Sequence, residues 1–443
     1  MNVNQIEIAL SQKIGVSTTN FELLAASKAL QLLRTNGVFV VSTYGGLPAA
    51  ASNEGKIYFI EDIETVVWSN GAFWLRLLDK EPAATQIWGW GASGSGQLGD
   101  GTTLNRCSPV RERCSATDWR SVSAGGSHTA AIKTSGELWA WGENFAGRLG
   151  DGTETCRCSP VRERCSATDW CQVSGATAHT AAVKTSGQIW VWGFNSCGRL
   201  GDGTVATRCS PVREISSSTD WCQVSAGGAH TAALNTSGQL WMWGVGGCGR
   251  LGTGTVADSC SPVRERCSAT DWCRVFAGAF HTAAIKTSGQ LWTWGINLCG
   301  RIGDGTTVDR CSPVRELCSA SDWCQVGMGY GNTAAIKTSG QLWAWGLNLY
   351  GRLGDGTTVD RCSPVREFCS ATDWGQIHSG IGGVHTAAVK TSGQLWAWGQ
   401  NTCGRLGDGT TVLRCSPVRE ISSATDWYRV SLGAIQTVAI KVT

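Results

Sequence analysis

The sequence has little of what assigns a chain to a common binding class. Only 16% of its 443 residues are charged and the formal net charge is +3, so neither a nucleic-acid footprint nor an acidic tail is indicated. No run approaches the roughly 18 apolar residues of a membrane span. Residues 1–11 are polar and acidic, whereas a secretory signal is basic and then apolar. We therefore expect no nucleic-acid partner, no membrane insertion and synthesis in a reducing cytoplasm.

Catalytic and metal-binding signatures are missing as well. The sequence contains no nucleophile elbow, no zinc-hydrolase motif, no phosphate loop and no acid pair outside its repeat pattern. It also has no Cys-x-x-Cys spacing that would support zinc. We predict a protein that is not an enzyme, with no catalytic residue, no cofactor and no metal.

What the sequence does contain is an internal repeat, together with 58 Gly, 23 Trp and 21 Cys. The motif Leu-Gly-Asp-Gly-Thr, or a one-residue variant of it, begins at seven positions: Leu98, Leu149, Leu200, Leu251, Ile302, Leu353 and Leu406. The spacing is 51 residues, except for 53 at the last step, and each copy carries three Trp. A period near 50 is typical of propellers and other repeat architectures.

Each copy is predicted to form four short strands. Residues 128–133 and 138–142 alternate around a Ser-Gly turn, which is typical of a hairpin. A Gly-rich loop, a segment ending in Pro160-Val161 and a strand near residues 170–173 complete a propeller blade. Residues 87–91 lack a partner strand before them, and residues 437–443 supply one at the other end. Their pairing predicts a closed, all-β, seven-bladed propeller over residues 87–443.

The repeat resembles the regulator of chromosome condensation repeat in its bacterial form. The resemblance rests on Leu138-Trp-Ala-Trp-Gly-Glu-Asn-Phe-Ala-Gly-Arg-Leu-Gly-Asp-Gly152, followed by Pro160-Val161 and His179-Thr180. It implies a seven-bladed propeller. It says less about function, because that family includes exchange factors, inhibitors and interaction scaffolds.

Residues 1–86 differ in composition and are predicted to form a separate small α+β segment. Helices are expected over residues 5–14 and 21–35, and short strands over 38–42, 57–60, 65–68 and 73–77. The runs 47–60 and 67–74 resemble a small module of bacteriophage tail-fibre and other virion proteins. That resemblance implies an attachment or oligomerisation element, and the alternative is a small cap on the propeller.

Several recurring residues could carry chemistry, but structural roles explain them better. Five of the six His share one repeat position, where Asn332 and Gln436 stand in the other copies, so an inter-blade hydrogen bond is favoured over a metal ring. The Asp-Gly loops lack a second acidic residue for calcium, which favours Asx turns. The Arg-Glu pair after each Pro-Val is interpreted as a solvated or inter-blade charge ladder, and the cysteines as small buried apolar residues.

The near-identical copies diverge mainly in two loops, one after the Trp-Gly strand and one before the His position. Because loops carry binding more often than strands do, the aromatic residues there are the candidate contact residues: Phe145, Phe194, Phe280, Tyr330 and Tyr350. Neutral drift in exposed loops is the alternative.

The leading functional hypothesis is a bacteriophage virion appendage, such as a tail-fibre, neck or head-fibre component. Residues 1–86 would hold other virion proteins, and the propeller would contact a host-surface glycan or protein or a neighbouring copy. The alternative is an intracellular, cytoplasmic protein-binding propeller that acts as a regulator or inhibitor, and a propeller enzyme ranks third.

Overall fold

The computed structural model describes residues 39–41, 57–60, 65–69, 74–78 and 84–443. The chain divides into two compact units, residues 1–83 and residues 84–443. In the first unit the described residues form one sheet of β1 (Phe39–Val41), β2 (Ile57–Ile60), β3 (Thr65–Ser69) and β4 (Trp74–Leu78). The β1–β2 pair is parallel and the other two pairs are antiparallel. These strands lie where the sequence predicts them, whereas the predicted helices over 5–14 and 21–35 fall outside the described residues.

The second unit consists of seven four-stranded antiparallel sheets, which we number as blades. Blade 1 comprises β7 (Trp119–Ala124), β8 (His128–Lys133), β9 (Leu138–Gly142) and β10 (Arg157–Arg162). Blade 2 comprises β11 (Trp170–Gly175), β12 (His179–Lys184), β13 (Ile189–Gly193) and β14 (Arg208–Arg213). Blade 3 comprises β15 (Trp221–Ala226), β16 (His230–Asn235), β17 (Leu240–Gly244) and β18 (Ser259–Arg264).

Blades 4 to 6 repeat the same pattern. Blade 4 comprises β19 (Trp272–Ala277), β20 (His281–Lys286), β21 (Leu291–Gly295) and β22 (Arg310–Arg315). Blade 5 comprises β23 (Trp323–Met328), β24 (Asn332–Lys337), β25 (Leu342–Gly346) and β26 (Arg361–Arg366). Blade 6 comprises β27 (Trp374–Ser379), β28 (His385–Lys390), β29 (Leu395–Gly399) and β30 (Arg414–Arg419). Short 3-10 turns follow the third strand in five blades: Phe145–Gly147, Ser196–Gly198, Gly247–Gly249, Leu298–Gly300 and Thr402–Gly404.

Blade 7 joins the two ends of the propeller and closes the ring. It contains β31 (Trp427–Leu432) and β32 (Gln436–Val442) from the end of the chain, with β5 (Thr85–Gly91) and β6 (Arg106–Arg111) from its start. The β32–β5 pairing runs from Gln436↔Gly91 to Val442↔Thr85, two residue pairs longer than the equivalent pairing in blade 1. The predicted closure is confirmed, and it leaves neither end strand with an open edge.

The core lies between adjacent blades. Apolar side chains of blade 1, such as Ile132 and Leu149, pack on Trp170 and Trp192 of blade 2. Trp170 and Trp192 meet edge to face at 6.1 Å, an arrangement that aromatic pairs favour. Because each buried Trp removes about 150–250 Å² from water, the periodic Trp pattern is explained by packing alone.

The first strand of each blade is innermost, and these seven strands line a central channel with a cavity of ≈ 290 Å³. The innermost strand has one edge without a strand partner, and side chains of the neighbouring blade accept hydrogen bonds from some of the backbone N–H groups on that edge. Gln172 Oε1 accepts from the backbone N–H of Val224 (2.9 Å), and Ser174 Oγ accepts from that of Ala226 (3.0 Å). The outermost strand carries the recurrent Pro, which suits an edge position because Pro cannot donate a hydrogen bond.

Candidate binding face

Both divergent loops lie on the same face of the propeller. In an antiparallel blade the connection from the first to the second strand and the connection from the third to the fourth leave from the same end. We call this end the loop face, defined in blade 1 by residues 125–127 and 143–156, with their equivalents in the other blades. The opposite end, the turn face, carries the near-identical Ser-Gly turns and the connections that follow the fourth strand. Sequence variation is greatest on the loop face. On the turn face it is largest at the position after each buried Glu, which is Arg in three blades and Ile, Leu or Phe in the other four.

The five predicted contact residues all lie on the loop face, but they do not form one cluster. Phe145 is 64% exposed and Tyr330 is 42% exposed. Phe280 and Tyr330, from blades 4 and 5, meet edge to face at 5.0 Å. Phe194 and Tyr350 are half-buried and lie over arginines of their own loops. The structure thus brings Phe280 and Tyr330 together, and their role in binding stays a prediction.

Sequence reasoning missed the arginines beneath these aromatic residues. Six of the seven Gly-Arg-Leu positions carry a buried arginine, and Gln97 stands in the first copy: Arg148, Arg199, Arg250, Arg301, Arg352 and Arg405. Phe280 lies over both Arg250 and Arg301, with 5.6 Å from each guanidinium carbon to the ring centroid. The recurrence of a charged residue just before a buried Leu is the signal that could have revealed this ring.

The ring arginines are buried cations, and the same loops also carry acidic residues such as Asp258, Asp309 and Asp360. Only Arg148 forms an ion pair among the described residues, with Glu143 at 2.9 Å. Burial lowers the pKa of these arginines, for Arg352 to about 10, so all of them remain protonated at neutral pH. A face of this kind favours a negatively charged group on a partner.

The Asp-Gly loops form a polar network rather than a cation site. Asp151 Oδ1 accepts from the backbone N–H of Thr153 (3.0 Å) and Asp151 Oδ2 accepts from Arg157 Nε (2.9 Å), so the predicted Asx turn is confirmed. Burial alone would raise the pKa of Asp151, but the hydrogen bonds from Arg157 and Thr153 hold it below its usual value. Asn144 joins the network through Asp151 Oδ1 at 3.0 Å. Among the residues the structure describes, no group of three or more His, Cys, Asp or Glu could hold a metal ion.

Blade 3 has lost all three members of this network at once. Gly246, Thr253 and Ser259 stand where five other blades carry Asn, Asp and Arg, whereas blade 7 has Ser93 in place of the Asn but keeps Asp100 and Arg106. A Cβ at Gly246 would lie 1.8 Å from the carbonyl oxygen of Ala257, so the loop has closed into the space of the missing side chain. Joint loss of the Asp and the Arg in blade 3, and retention of both in blade 7, indicates that these two side chains act as one unit.

The recurrent histidines link neighbouring blades, as predicted. The hydroxyl of Thr180 donates to the carbonyl of Arg148 (2.8 Å), so it accepts from Nε2 of His128 (2.9 Å). Equivalent His–Thr contacts of 2.8–3.0 Å occur at the other four histidines. Gln436 substitutes by donating to carbonyls of blade 1 at 3.3 Å. Burial lowers the pKa of His128 to about 3, so the ring nitrogens are neutral and carry a structural bond.

Two of the structural interpretations need correction. The glutamate of each Arg-Glu pair is only 1% exposed, so a solvated ladder is wrong for it. Glu163, for example, accepts from the backbone N–H of Ala167 (2.8 Å) and from Trp170 Nε1 (3.2 Å), fixing the entry to the next blade. The interpretation of the cysteines as buried apolar residues is correct only for Cys171, Cys222 and Cys273. The other cysteines are half-buried or exposed. All 21 are free thiols.

The two-residue insertion in blade 6 changes the mouth of the channel. Ile381, within the insertion, is 8% exposed and lines the channel cavity. A Cβ at Gly382 would lie 3.0 Å from Ala434 Cβ in blade 7 and 3.9 Å from Thr177 Cγ2 in blade 2. The insertion therefore leans over the channel from blade 6 and narrows it on the loop face.

These observations define a closed seven-bladed β-propeller whose loop face carries a ring of buried arginines. A family model described as the RCC1-like domain matches residues 86–440. The chain belongs to the RCC1-like domain family. No helix in the part of the chain that the structure describes is long and apolar enough to cross a membrane.

Relatives and solved structures agree with this assignment. The chain is 34% identical over 336 residues to the ultraviolet-B receptor UVR8 of Arabidopsis thaliana, covering 74% of this chain and 76% of that protein. It is 29% identical to the mitochondrial RCC1 domain-containing protein RUG3 of the same plant, covering 77% and 83%. The crystal structure of Prp20p from Saccharomyces cerevisiae superposes with a TM-score of 0.72 at 20% identity, covering 83% of this chain and 93% of that one.

Proposed function

We propose that the chain is a non-enzymatic, intracellular protein-binding propeller whose partner docks on the loop face. The observation that carries this proposal is the clustering of aromatic residues and buried arginines on the face where two loops of each blade diverge. The turn face varies less: its Ser-Gly turns are nearly constant, and its main variable position is the one after each buried Glu, which is Arg, Ile, Leu or Phe.

The chemistry of the loop face supports a protein partner. Aromatic residues and arginine are enriched at protein interfaces, and here Phe280, Tyr330 and Arg301 lie together. Leu298 and Leu349, in blades 4 and 5, are 65% and 59% exposed and add apolar surface beside them. The fold is compatible with this role, since Prp20p is described as binding Gsp1p and histones.

The leading virion hypothesis finds no support among these relatives, which favour the intracellular alternative instead. The resemblance of residues 47–60 and 67–74 to tail-fibre proteins stays a prediction, as do the attachment role of residues 1–86 and binding to a host-surface glycan.

Affinity capture with matched variants tests the proposal. The wild-type chain, a loop-face variant (Phe280→Ala with Tyr330→Ala) and a turn-face variant of the same blades (Ser288→Ala with Ser339→Ala) are used as baits in lysate of the source cells. We expect quantitative mass spectrometry to find at least one protein that both wild type and turn-face variant retain and the loop-face variant loses. A partner lost only by the turn-face variant would contradict the proposal.

A further inference from the structure

One arginine of the ring differs from the other five in its hydrogen bonding. In the other five copies Nε donates to the carbonyl three residues earlier, as from Arg199 to Ser196 at 3.3 Å and from Arg405 to Thr402 at 3.1 Å. In four of them Nη1 also donates to a carbonyl of the next blade, as from Arg405 to Ala434 at 3.2 Å. Arg352 is 1% exposed, and its Nε and Nη1 have no hydrogen-bond partner.

The first cause lies in the turn that precedes Arg352. In the other blades with a buried arginine the residue two positions earlier is Ala or Cys in the left-handed region, with φ between 56 and 63°. Tyr350 occupies this position in blade 5 and has no positive φ, consistent with the cost of that region for a bulky residue. Blade 5 accordingly lacks the 3-10 turn that presents a carbonyl to Nε in the other blades.

The second cause is the insertion in blade 6. Blade 6 adjoins Arg352 and would supply the carbonyl for Nη1, but its loop is two residues longer and leans over the channel. Arg352 also makes no ion pair within 4 Å among the described residues. Asp360, an acidic residue of the same loop, instead accepts from the backbone N–H of Asn348 at 2.7 Å. A buried guanidinium with two unused donors is costly, since each unmade hydrogen bond to a charged group leaves a desolvation penalty.

What surrounds Arg352 defines the group that would satisfy it. The guanidinium lies 5.7 Å from the ring centroid of Tyr350, which fixes its plane from one side. A carboxylate is a suitable acceptor, because its charge strengthens a hydrogen bond from a guanidinium N–H. Nε and Nη1 lie on opposite sides of the guanidinium, so one carboxylate oxygen would accept from one of these two donors. The exposed Leu349 is adjacent in sequence, so the neighbouring surface is apolar.

We propose that Arg352 is the anchor of a carboxylate-binding subsite that takes an Asp or Glu side chain, flanked by apolar residues, from an acidic segment of the partner protein. This inference rests on the proposed function and specifies the partner's chemistry. Entry of the carboxylate requires a small displacement of Tyr350 or of residues 380–383. Gly380, Gly382 and Gly383 stand in this loop, and glycine backbone can adopt conformations that are closed to other residues.

The test uses a fluorescein-labelled decaglutamate peptide, with a Gly-Ser peptide of equal length as the uncharged control. Anisotropy is measured for the full-length chain, for Arg352→Gln and for the matched control Arg199→Gln, whose arginine is satisfied internally. Gln97 occupies the equivalent position in blade 7, so the fold accepts glutamine there. We expect Arg352→Gln to weaken binding of decaglutamate by about tenfold or more, as for loss of a charge-assisted hydrogen bond. Arg199→Gln is expected to change the affinity for decaglutamate by less than about threefold, because it alters only the net charge of the chain.

A second variant separates a binding role from a structural one. Tyr350→Cys retains the arginine but restores the residue type that forms the 3-10 turn elsewhere, so Nε would regain an internal carbonyl. We expect this variant to bind decaglutamate more weakly than wild type, although the charge is unchanged. Inorganic phosphate as competitor distinguishes a free anion from a peptide: displacement at low millimolar concentration would assign the subsite to small anions.

Equal loss of binding in Arg352→Gln and Arg199→Gln would overturn the inference, since diffuse charge would then explain it. Higher thermal stability of Arg352→Gln without any change in decaglutamate binding would also overturn it. In either case the loop-face capture experiment could still succeed, so failure of this subsite and failure of the proposed function remain distinguishable.

Discussion

Acidification is predicted to unfold the propeller through its buried histidines. Burial lowers the pKa of His128 and His230 to about 3 and that of His378 to about 4, and it holds the other three well below the usual value. The unfolded chain binds these protons near pH 6.5. The folded state therefore keeps its full stability above pH 6.5 and loses it as the pH falls towards 3.

The magnitude follows from proton linkage. Each histidine that stays neutral in the fold contributes a loss of about 1.4 kcal/mol per pH unit below 6.5. At pH 4.5 this amounts to about 3 kcal/mol for a histidine such as His128, and the other ring histidines add losses of the same sign. Because a typical domain has a free energy of unfolding of about 5–15 kcal/mol, the acid midpoint is expected above about pH 4. Carboxylates whose pKa the fold lowers, such as Asp151, reduce the stability only at more acidic pH than the histidines do.

Urea unfolding followed by tryptophan fluorescence between pH 7 and 4.5 measures this slope. The sequence offers a matched variant, His230→Asn, because Asn332 already occupies the same position in blade 5. We expect the variant to take up one proton fewer on unfolding, so that the slope of the free energy of unfolding against pH falls by about 1.4 kcal/mol per pH unit. A free energy of unfolding that is constant from pH 7 to 5, or an unchanged slope in the variant, would refute the burial argument.

Three further predictions concern the ring itself. A chain ending at Ile435 lacks β32 and leaves two strand edges open, so size-exclusion chromatography should show aggregates instead of a monodisperse propeller. Glu265→Ala removes the acceptor of three hydrogen bonds, from the backbone N–H of Cys267, the backbone N–H of Ala269 and Trp272 Nε1. Urea titrations should show that it lowers the free energy of unfolding by about 2–4 kcal/mol. The control Cys267→Ser, a residue already present at this position in two blades, should change the free energy of unfolding by less than about 0.5 kcal/mol. In blade 3, Thr253→Asp and Ser259→Arg together should restore the Asp–Arg ion pair. A double-mutant cycle on the free energy of unfolding should then give a coupling energy of about 0.5–1 kcal/mol between the two substitutions, and a coupling energy of zero would argue against a shared network.

The fold was predictable because repetition amplifies every local signal. Alternating runs such as residues 128–133 recur in each copy, and the unpaired Ile87–Gly91 strand left closure by the chain end as the consistent solution. The His position was interpretable because Asn332 and Gln436 can make similar hydrogen bonds. Periodicity thus encoded both the blades and the links between them.

The site was less predictable because its features depend on contacts between blades. In sequence, an adjacent Arg and Glu look like a pair of surface charges. Glu163 is buried against Trp170 only because the connection between the two blades folds back over it, which the sequence alone does not show. The unsatisfied donors of Arg352 result from Tyr350 in one blade and an insertion in the next, which no single copy reveals. Loop divergence led to aromatic residues that lie on the loop face, but it could not show that both loops share a face.

The most direct test of the central claim is hydrogen–deuterium exchange of the chain alone and in complex with its captured partner. We expect protection on binding to be confined to the loop face, in segments such as residues 278–280, 296–301 and 347–352, with no change in the Ser-Gly turns. Protection confined to the turn face or to the outer strands would contradict the account.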